Sequence, residues 1–198
     1  MDEIMKMEIE LPHHAVIILA AGASRRLGTA KQLLSNDGES LLRRATRMAQ
    51  ETNPIRTLVV LGHDSDTLFA TINDMNIQRV DCAEWSKGMG ASLRSGMAQV
   101  SAECDGALIL LCDQIELSTK HLHLLCNIWQ QQPEHAVASV YANTMGVPAL
   151  LPRSWFDRIA SLQGDHGARA LLRSDPSVIG VLAPELARDI DTRQDLLG

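Results

Sequence analysis

The stretch AVIILAAGASRRLGTAK, residues 15–31, predicts how this chain folds. Its first five residues form an uninterrupted apolar run, and the residues that follow are small and then basic. An unbroken run of Val, Ile and Leu suits a strand that is buried on both faces of a parallel sheet. Open α/β sheets bind ligands beyond the carboxyl ends of such strands. The stretch therefore predicts a strand, a ligand-binding loop over residues 19–31 and a helix behind it.

Three more apolar runs follow at residues 57–61, 107–111 and 136–140. Between the runs, apolar residues recur three and four positions apart, which predicts amphipathic helices that cover a sheet. Asp64, Ser65 and Asp66 mark the start of one helix, and Ser118 or Thr119 can cap the next. This alternation predicts an α/β fold with three α/β/α layers and a mostly parallel, doubly wound, Rossmann-like sheet.

The pattern weakens after Val140. Gly146 and Pro148 interrupt an apolar stretch, a short helix is expected over residues 153–162, and residues 164–169 form a polar loop that enters another helix. No repeat or Pro-, Gly- or Ser-rich linker divides the chain. We expect residues 1–14 to be an appendage and residues 15–198 to be a single domain whose last third elaborates the sheet for substrate binding.

The composition excludes some classes of function. The chain has 198 residues, of which 45% are hydrophobic and 21% charged, so it can bury a sizeable core. Only 3% of its residues are aromatic and its net charge is -6. Nucleic-acid partners require a basic surface or exposed stacking rings, so we expect no nucleic acid as partner.

The lack of a signal or membrane-spanning segment in the sequence, together with the spacing of the cysteines, predicts a cytoplasmic protein. The apolar run at residues 15–21 is too short to span a bilayer, and no basic signal segment precedes it, so we expect no membrane partner. The four cysteines form no C-x-x-C pair, and we expect them to be reduced. The pair His13 and His14 could ligate a metal, but no third ligand lies near it in the sequence.

The loop over residues 19–31 has the features of a phosphate cradle. Its small residues let the backbone approach a nucleotide, and its cationic side chains supply charge for a triphosphate. On an acidic chain these cations need an anionic partner, either a ligand or a neighbouring carboxylate. The alternative is a strand-to-helix turn with solvated basic residues. Neither the P-loop nor the dinucleotide fingerprint fits the glycine spacing. The cationic residues are Arg25, Arg26 and Lys31.

The whole loop resembles the signature of the molybdenum cofactor nucleotidyltransferases, which are MobA-like members of the glycosyltransferase-A-like group that includes nucleotide-diphospho-sugar transferases. In that signature Leu-Ala-Ala-Gly is followed by Ser, Arg, Met, Gly and Lys, and Leu27 stands here at the position of Met. The resemblance implies a nucleotide-binding role for the loop, and its Ala-Ala-Gly version is associated with CTP. The residues that this role covers are Leu19, Ala20, Ala21, Gly22, Ser24, Arg26 and Lys31.

Nucleotidyl transfer requires a divalent ion, and Mg²⁺ takes its few protein ligands from carboxylates. Asp113 follows the buried run ALILLC, which predicts a position at the carboxyl edge of the sheet. From the pattern alone, Asp113 could instead be a turn or helix-cap residue, and Asp189 and Asp191 could lie in a surface turn. The resemblance implies that Asp113 binds the metal, together with Asp191 or, in reserve, Asp189. Ile115 replaces the family's proline in Asp-Gln-Pro.

The segment KGMGASLRSG, residues 87–96, resembles the family's base-recognition loop. The resemblance implies that Gly88, Gly90 and Ser92 lie near the cytosine. The alternative is a glycine turn with Ser92 in the first turn of a helix. Arg94 is expected to be solvated.

Two later segments, GVP at residues 146–148 and GDHGAR at residues 164–169, also match the family, although the position of Val147 often carries His there. The resemblance implies that they bind the second substrate, a pterin or its phosphate. Ordinary helix capping is an equal alternative for the second segment. The residues concerned are Gly146, Pro148, Asp165, His166 and Arg169. We expect His63 and His121 to be structural or exposed.

The resemblance runs from Val16 to Leu197, with five motifs in family order. It implies a cytidylyltransferase that transfers CMP from CTP to the phosphate of molybdopterin and releases pyrophosphate, with Arg26, Lys31, Asp113 and Mg²⁺ in catalysis. One alternative uses GTP or a sugar phosphate, and another within the same fold is a redox protein acting on a heteroaromatic compound. A third is a non-catalytic cofactor carrier or assembly partner for a molybdenum hydroxylase.

Overall fold

The computed structural model describes residues 11–24, 29–162 and 167–187. In chain order its strands and α-helices are β1 (His14–Leu19), β2 (Ser35–Asn36), β3 (Glu39–Ser40), α1 (Leu41–Gln50), β4 (Arg56–Leu61), α2 (Ser65–Ala70), β5 (Gln78–Asp81), α3 (Met89–Met97), β6 (Gly106–Leu111), α4 (Thr119–Gln131), β7 (Val137–Tyr141), β8 (Thr144–Pro152), α5 (Phe156–Ala160), α6 (Arg169–Ser174) and β9 (Ile179–Leu182).

Within the described residues, seven strands form one sheet in the order β5-β4-β1-β6-β8-β7-β9. Neighbouring strands from β5 to β6 are parallel, and β7 is parallel to β9. Among the described strands of this sheet, only β8 runs in the opposite direction, antiparallel to its neighbours β6 and β7. The short strands β2 and β3 form a separate hairpin. The mostly parallel sheet predicted from the sequence is confirmed.

The central strands have no solvent-facing side. Every residue of β1 is buried, and successive side chains enter two different cores because neighbouring residues of a strand point to opposite faces. Val16 and Ile18 pack in the core under α1, α2 and α4. Ile17 and Leu19 pack in the core that α3, α5 and α6 cover. Helices on both faces of the sheet give the predicted three layers.

Serine hydroxyl groups cap the N-termini of two helices. Ser40 accepts a hydrogen bond from the backbone N–H of Arg43 at the start of α1, and Ser118 accepts one from His121 at the start of α4. The cap expected at Ser118 is therefore confirmed. Helix α2 begins after Asp64 as predicted, but the Asp64 side chain makes no capping hydrogen bond and pairs with the imidazole of His63.

The strand order creates a crevice at the carboxyl ends of β1 and β6. From β1 the chain goes to β4 and β5 on one side, and it returns to the other side of β1 with β6. At such a switch point the connections leave in opposite directions and open a space between them, which is where open α/β sheets bind ligands. The described residues of the loop, 19–24 and 29–31, and the residues after Leu111 both lie at this edge.

The sequence patterns missed β5, β8 and β9. We expected Gly146 and Pro148 to interrupt the apolar stretch, and this expectation was wrong, because both residues lie within β8. The ladder between β7 and β8 shifts register there: Ala138 pairs with Ala149, and Ser139 pairs with Gly146. A bulge of this kind lets a strand contain a proline, which has no N–H to donate to the ladder. The strands β8 and β9 in the last third are therefore part of the main sheet and not an elaboration on it.

His14, which we expected to belong to an appendage over residues 1–14, is instead the first residue of β1. Residues 1–10 lie outside the described residues. His14 is buried, and its Nε2 lies 3.0 Å from the hydroxyl of Thr52, so a structural contact replaces the metal-ligand role considered for it. All four cysteines are free and buried. None of the described helices combines the length and the apolar character that crossing a bilayer requires.

Gly96 sets the distance between α3 and the sheet. A Cβ at this position would lie 2.7 Å from Ile17 Cγ2 and 2.9 Å from Val60 Cγ2. Glycine to alanine within a helix normally stabilises it, so the sign of the effect reports the packing. We expect Gly96→Ala to lower the free energy of unfolding by about 1–3 kcal/mol in denaturant titrations. In an Ile17→Ala background the cost should shrink, and equal costs in both backgrounds would contradict this account.

Burial of His14 makes stability depend on pH. Desolvation and, to a smaller extent, the charge of His13 lower the pKa of His14 from 6.5 to about 4. The unfolded chain takes up a proton at a higher pH than the folded protein does. The free energy of unfolding is therefore unaffected above pH 6.5 and decreases as the pH falls towards 4. The loss is on the order of 3 kcal/mol.

We expect His14→Gln, which keeps a hydrogen-bonding partner for Thr52 but does not titrate, to flatten this fall in unfolding free energy. A smaller fall should remain, because burial also lowers the pKa of His121. Parallel stability curves for the variant and the wild type would exclude His14 as the source.

Candidate functional site

A cleft of about 370 Å³ opens at the switch point between β1 and β6. Described residues of the loop over residues 19–31, from here on the glycine-rich loop, form one wall. The turn before α3 forms a second wall, and the end of β6 forms the floor. Its lining residues are Leu19, Ala21, Gly22, Ala23, Lys31, Gln32, Trp85, Ser86, Gly88, Met89, Ser92, Leu111, Cys112 and Asp113. Space of this size at this position suits a small-molecule ligand.

An ion pair between Lys31 and Asp113 lies in the cleft. Lys31 begins a 3₁₀ turn, Lys31–Leu33, and Asp113 stands two residues after β6. The Lys31 Nζ contacts Asp113 Oδ2, and both side chains are mostly shielded, with 23% and 13% of their surfaces exposed. The cation of the loop and the carboxylate of the strand end, predicted from separate motifs, thus meet in one place.

The second oxygen of Asp113 has no hydrogen-bond donor among the described residues. Asp113 Oδ1 is buried and unpartnered. A buried carboxylate oxygen without a partner is costly, and a divalent cation is a ligand that would satisfy it. No group of three or more His, Cys, Asp or Glu side chains is arranged around a metal position in the ranges the structure covers. Mg²⁺ is held by one or two carboxylates plus substrate phosphates, so Asp113 fits such an ion.

Hydrogen bonds to the Gln32 side chain hold the glycine-rich loop in place. The Gln32 side-chain amide donates to the carbonyl oxygens of Ala20, at 2.9 Å, and Gly22, at 2.8 Å. Its Oε1 accepts from the hydroxyl of Ser24 at 3.3 Å, and that hydroxyl accepts from the backbone N–H of Lys31 at 3.0 Å. These bonds connect the two ends of the loop.

The end of β4 supports the same loop from the side. The backbone N–H of His63 donates to the carbonyl of Ala21 at 3.1 Å. A Cβ on Gly62 would lie 2.5 Å from Trp85 Cβ and 2.8 Å from Ala21 O. Only glycine therefore lets Trp85 pack against this part of the backbone. The Trp85 ring makes an edge contact with the His63 ring, and the two ring centroids are 5.3 Å apart.

The segment expected to recognise a base forms the second wall of the cleft. Gly88 has φ 106°, a conformation that favours glycine, and it precedes α3. Ser92 is buried in the first turns of α3 and lines the cleft together with Gly88. At the rim, Met89 packs near Gly167, where an added Cβ would lie 3.5 Å from the Met89 sulfur. The residues just before α6 therefore border this wall.

The GVP segment is tied to the residue after Asp113. Gln114 Nε2 donates to the carbonyl of Val147 at 2.9 Å, and the hydroxyl of Tyr141 donates to the same oxygen at 2.9 Å. A Cβ on Gly146 would collide with the Tyr141 hydroxyl. The expected metal ligand and the expected substrate segment are thus held together, although Gly146 and Pro148 themselves do not line the cleft.

Cys112 lines the cleft beside Asp113 but does not have the properties of a nucleophile. Burial and, secondarily, the neighbouring Asp113 carboxylate raise the pKa of Cys112 to about 12. A thiol is reactive only as the thiolate, so Cys112 is an inert, neutral wall residue near pH 7.

The structure brings together most of the residues predicted to bind the nucleotide. Leu19, Ala21, Gly22, Lys31, Gly88 and Ser92 all line the cleft, and so does Asp113, the predicted metal ligand. Ala20 belongs to the core on the α1 side, Ser24 lies in the hydrogen-bonded base of the loop, and Gly90 is buried in α3. Arg169 is exposed at the start of α6. Outside the described residues lie Arg25, Arg26, Asp165, His166, Asp189 and Asp191.

Arg94 differs from its expected solvated state. Its guanidinium donates to the carbonyl of Leu162 and so joins α3 to the segment that follows α5. His121 is buried and its Nε2 lies 2.8 Å from the hydroxyl of Ser139, while His63 is exposed. Both histidines have the structural or exposed positions that we expected.

Sequence reasoning missed three residues that hold the walls of the cleft in place. Gln32 follows the loop's lysine directly, and a polar residue at the start of an otherwise apolar segment was the available signal. Trp85 precedes the second glycine motif, and Gln114 follows the metal-binding candidate. Trp85 and Gln114 contact segments that are remote in the chain, and Gln32 reaches back across the loop to Ala20, Gly22 and Ser24. The spacing of residues alone does not reveal these contacts.

The chain is similar to known proteins over most of its length. A family model described as the MobA-like NTP transferase domain matches residues 16–178. The purine catabolism protein PucB of Bacillus subtilis is 32% identical over 171 residues, which cover 82% of each chain. The nicotine blue oxidoreductase of Paenarthrobacter nicotinovorans is 27% identical over 96% of this chain and 97% of that protein.

Solved structures share the fold over nearly the whole chain. The protein Rv0371c of Mycobacterium tuberculosis H37Rv superposes with a TM-score of 0.81 and 26% identity, covering 94% of this chain and 96% of that one. A nucleotidyl transferase from Methanothermobacter thermautotroptrophicus gives a TM-score of 0.77 at 19% identity over 93% and 94% of the two chains, a likeness of fold alone.

The packing at Gly62 gives a test of how the loop is supported. We expect Gly62→Ala to lower the free energy of unfolding by about 1–3 kcal/mol, because the new Cβ displaces Trp85 or Ala21. Denaturant titration measures this, and the tryptophan emission should shift in the folded state. Gly22→Ala is the matched control, because nothing lies within 4 Å of its Cβ position. Equal stabilities of the two variants would show that Gly62 packing is not limiting.

Proposed function

Because the chain belongs to the MobA-like NTP transferase family, we propose that it transfers CMP from CTP to the phosphate of molybdopterin and releases pyrophosphate. The observation that carries the proposal is the meeting of Lys31 and Asp113 in a cleft bordered by the glycine-rich loop. This pairs a cation for phosphates with a carboxylate for a divalent ion.

The proposed reaction needs no side-chain nucleophile. An oxygen of the molybdopterin phosphate attacks the α-phosphorus of CTP, and a new phosphorus–oxygen bond forms. The bond from the α-phosphorus to the oxygen that bridges to the β-phosphate breaks, and its electron pair leaves with pyrophosphate. The attacking phosphate is already ionised at neutral pH, so the protein supplies orientation and charge. A cleft whose cysteine is held as a neutral thiol is compatible with such chemistry.

Lys31 is assigned to the phosphates. Its ammonium lies in the shielded cleft and would neutralise charge that accumulates on the leaving pyrophosphate. Electrostatic stabilisation of this kind is the main source of rate in phosphoryl transfer. Arg26 shares this role in the proposal. Both residues belong to the loop over residues 19–31, whose small side chains leave the backbone open to a phosphate.

Asp113 is assigned to the metal. Its unpartnered Oδ1 would bind Mg²⁺, and Asp191, with Asp189 in reserve, would supply a second carboxylate. A bound Mg²⁺ supplies charge neutralisation of the triphosphate and polarisation of the α-phosphate. In the absence of ligands, Lys31 neutralises Asp113, so the pair keeps the site electrostatically balanced.

The base and the second substrate are assigned to the other walls. Gly88 and Ser92 offer a backbone bend and a hydroxyl for cytosine, with Gly90 behind them in α3. The pterin would lie towards the GVP segment, which Gln114 joins to the metal-binding end of β6. Arg169, Asp165 and His166 complete this side of the proposal. The recipient of the product would be a molybdenum hydroxylase.

A redox activity is the second candidate, because the similarity to nicotine blue oxidoreductase covers nearly the whole of both chains. A nucleotide cleft at the switch point of the sheet can also hold a redox dinucleotide. The two candidates differ in their products, since only nucleotidyl transfer releases pyrophosphate.

Pyrophosphate release tests the proposed reaction. Purified protein with Mg²⁺ and molybdopterin should release pyrophosphate with CTP at least roughly tenfold faster than with GTP, ATP or UTP. Asp113→Asn and Lys31→Met should each reduce the rate at least roughly 100-fold, because each removes a charge that the transition state requires. Omitting Mg²⁺ should have the same effect.

Asp74→Asn is the control for Asp113→Asn. Asp74 pairs with Arg43 on the surface, and 60% of its side chain is exposed, so its loss should leave turnover unchanged. Full turnover by Asp113→Asn would refute the metal assignment, and preference for GTP would refute the choice of nucleotide. Reduction of a heteroaromatic acceptor by NADH or NADPH, without pyrophosphate release, would favour the redox candidate.

A further inference from the structure

Gln32 lies at the base of the glycine-rich loop and is 2% exposed. Every polar atom of its side chain has a role in the loop. The amide nitrogen donates both of its hydrogens to backbone carbonyls, those of Ala20 and Gly22, and the amide oxygen accepts from Ser24. A buried amide that is fully satisfied by one loop specifies the conformation of that loop, because any other arrangement leaves polar groups unpaired.

The same bonds hold the far end of the loop. Ser24 has φ 47°, an uncommon conformation for a residue with a side chain. Its hydroxyl accepts from the backbone N–H of Lys31 and donates to Gln32, so it relays the contact between them. The hydrogen-bond chain therefore runs from the Lys31 backbone through Ser24 and Gln32 to Ala20 and Gly22.

The contacts also affect the charge that the loop presents. Backbone carbonyl oxygens carry partial negative charge and would repel the phosphates of a nucleotide. The Gln32 amide donates hydrogen bonds to the carbonyl oxygens of Ala20 and Gly22, and the backbone N–H of His63 donates to that of Ala21. Three consecutive carbonyls are thus engaged within the protein at the wall of the cleft.

We infer that Gln32 is a positioning residue for nucleotide binding: it fixes the loop so that its backbone accepts a triphosphate and Lys31 reaches Asp113. The inference rests on the proposed function. Gln32 acts through the loop and through Lys31, without itself taking part in bond making or breaking.

The test compares Gln32→Leu, which has a similar size but no polar atoms, with the wild type. In the ligand-free protein, hydrogen exchange of the Lys31 amide should accelerate at least roughly tenfold in the variant, because its acceptor Ser24 loses its own partner. The dissociation constant and the KM for CTP should rise at least roughly tenfold, while the KM for molybdopterin stays unchanged.

A second variant, Gln32→Glu, separates hydrogen bonding from packing. At pH 8 the introduced carboxylate faces two carbonyl oxygens and cannot donate to either, so CTP affinity should fall as far as in Gln32→Leu. Acidification protonates the carboxyl and restores one donor, so the affinity of this variant relative to the wild type should recover towards pH 5. Gln32→Leu should show no such recovery.

Two controls account for general destabilisation. Ile72→Ala empties a fully buried core position and should lower the melting temperature without changing CTP affinity at temperatures well below unfolding. Thr46→Val removes a buried hydroxyl that donates to the carbonyl of Leu42 within α1, and it should also leave CTP affinity unchanged.

The outcomes are distinguishable. Unchanged exchange of the Lys31 amide in Gln32→Leu would overturn the inference, and so would faster exchange with unchanged CTP affinity. If the wild type itself binds no nucleoside triphosphate, the proposed function fails, and with it the role of Gln32 in binding. Faster exchange together with weaker CTP binding, both absent from the two controls, supports the inference.

Discussion

The ion pair between Lys31 and Asp113 joins two segments that are 82 residues apart in the chain. It forms only because β1 and β6 lie side by side in register, with Leu19 opposite Leu111 at their carboxyl ends. Taking either charge out of water alone is costly, so each side chain makes the position of the other tolerable. The groups that we assign to phosphate and metal are therefore also the groups that hold the edge of the cleft together in the absence of ligands.

Close packing of backbone around the loop is the second constraint. Gly62 lets Trp85 approach Ala21, and Gly96 lets α3 approach β1 and β4. The wall before α3 and the loop after β1 are thus held at a short distance from each other by contacts that a single methyl group would disturb. Gln32 adds the hydrogen bonds that packing cannot supply. The cleft is the space that remains between these walls.

The central strands could be predicted because both of their faces are buried in apolar cores. A strand buried on both faces must be apolar throughout, and the runs at residues 15–19, 57–61 and 107–111 match β1, β4 and β6 to within one residue. The strand β8 was not predictable in this way, because Gly146 and Pro148 are breakers in an isolated sequence. They are acceptable in β8 only because β7 shifts its register beside them.

The sequence by itself determined the fold class, the family and the two motifs at the ends of β1 and β6, because burial and phosphate binding both require particular residue types at short spacing. Only the tertiary structure decided which polar groups meet. The contact of Lys31 with Asp113, the bond from Gln114 to Val147 and the bonds of Gln32 to the loop depend on distances between atoms. Those distances are set by strand order and packing, which local spacing in the chain does not encode.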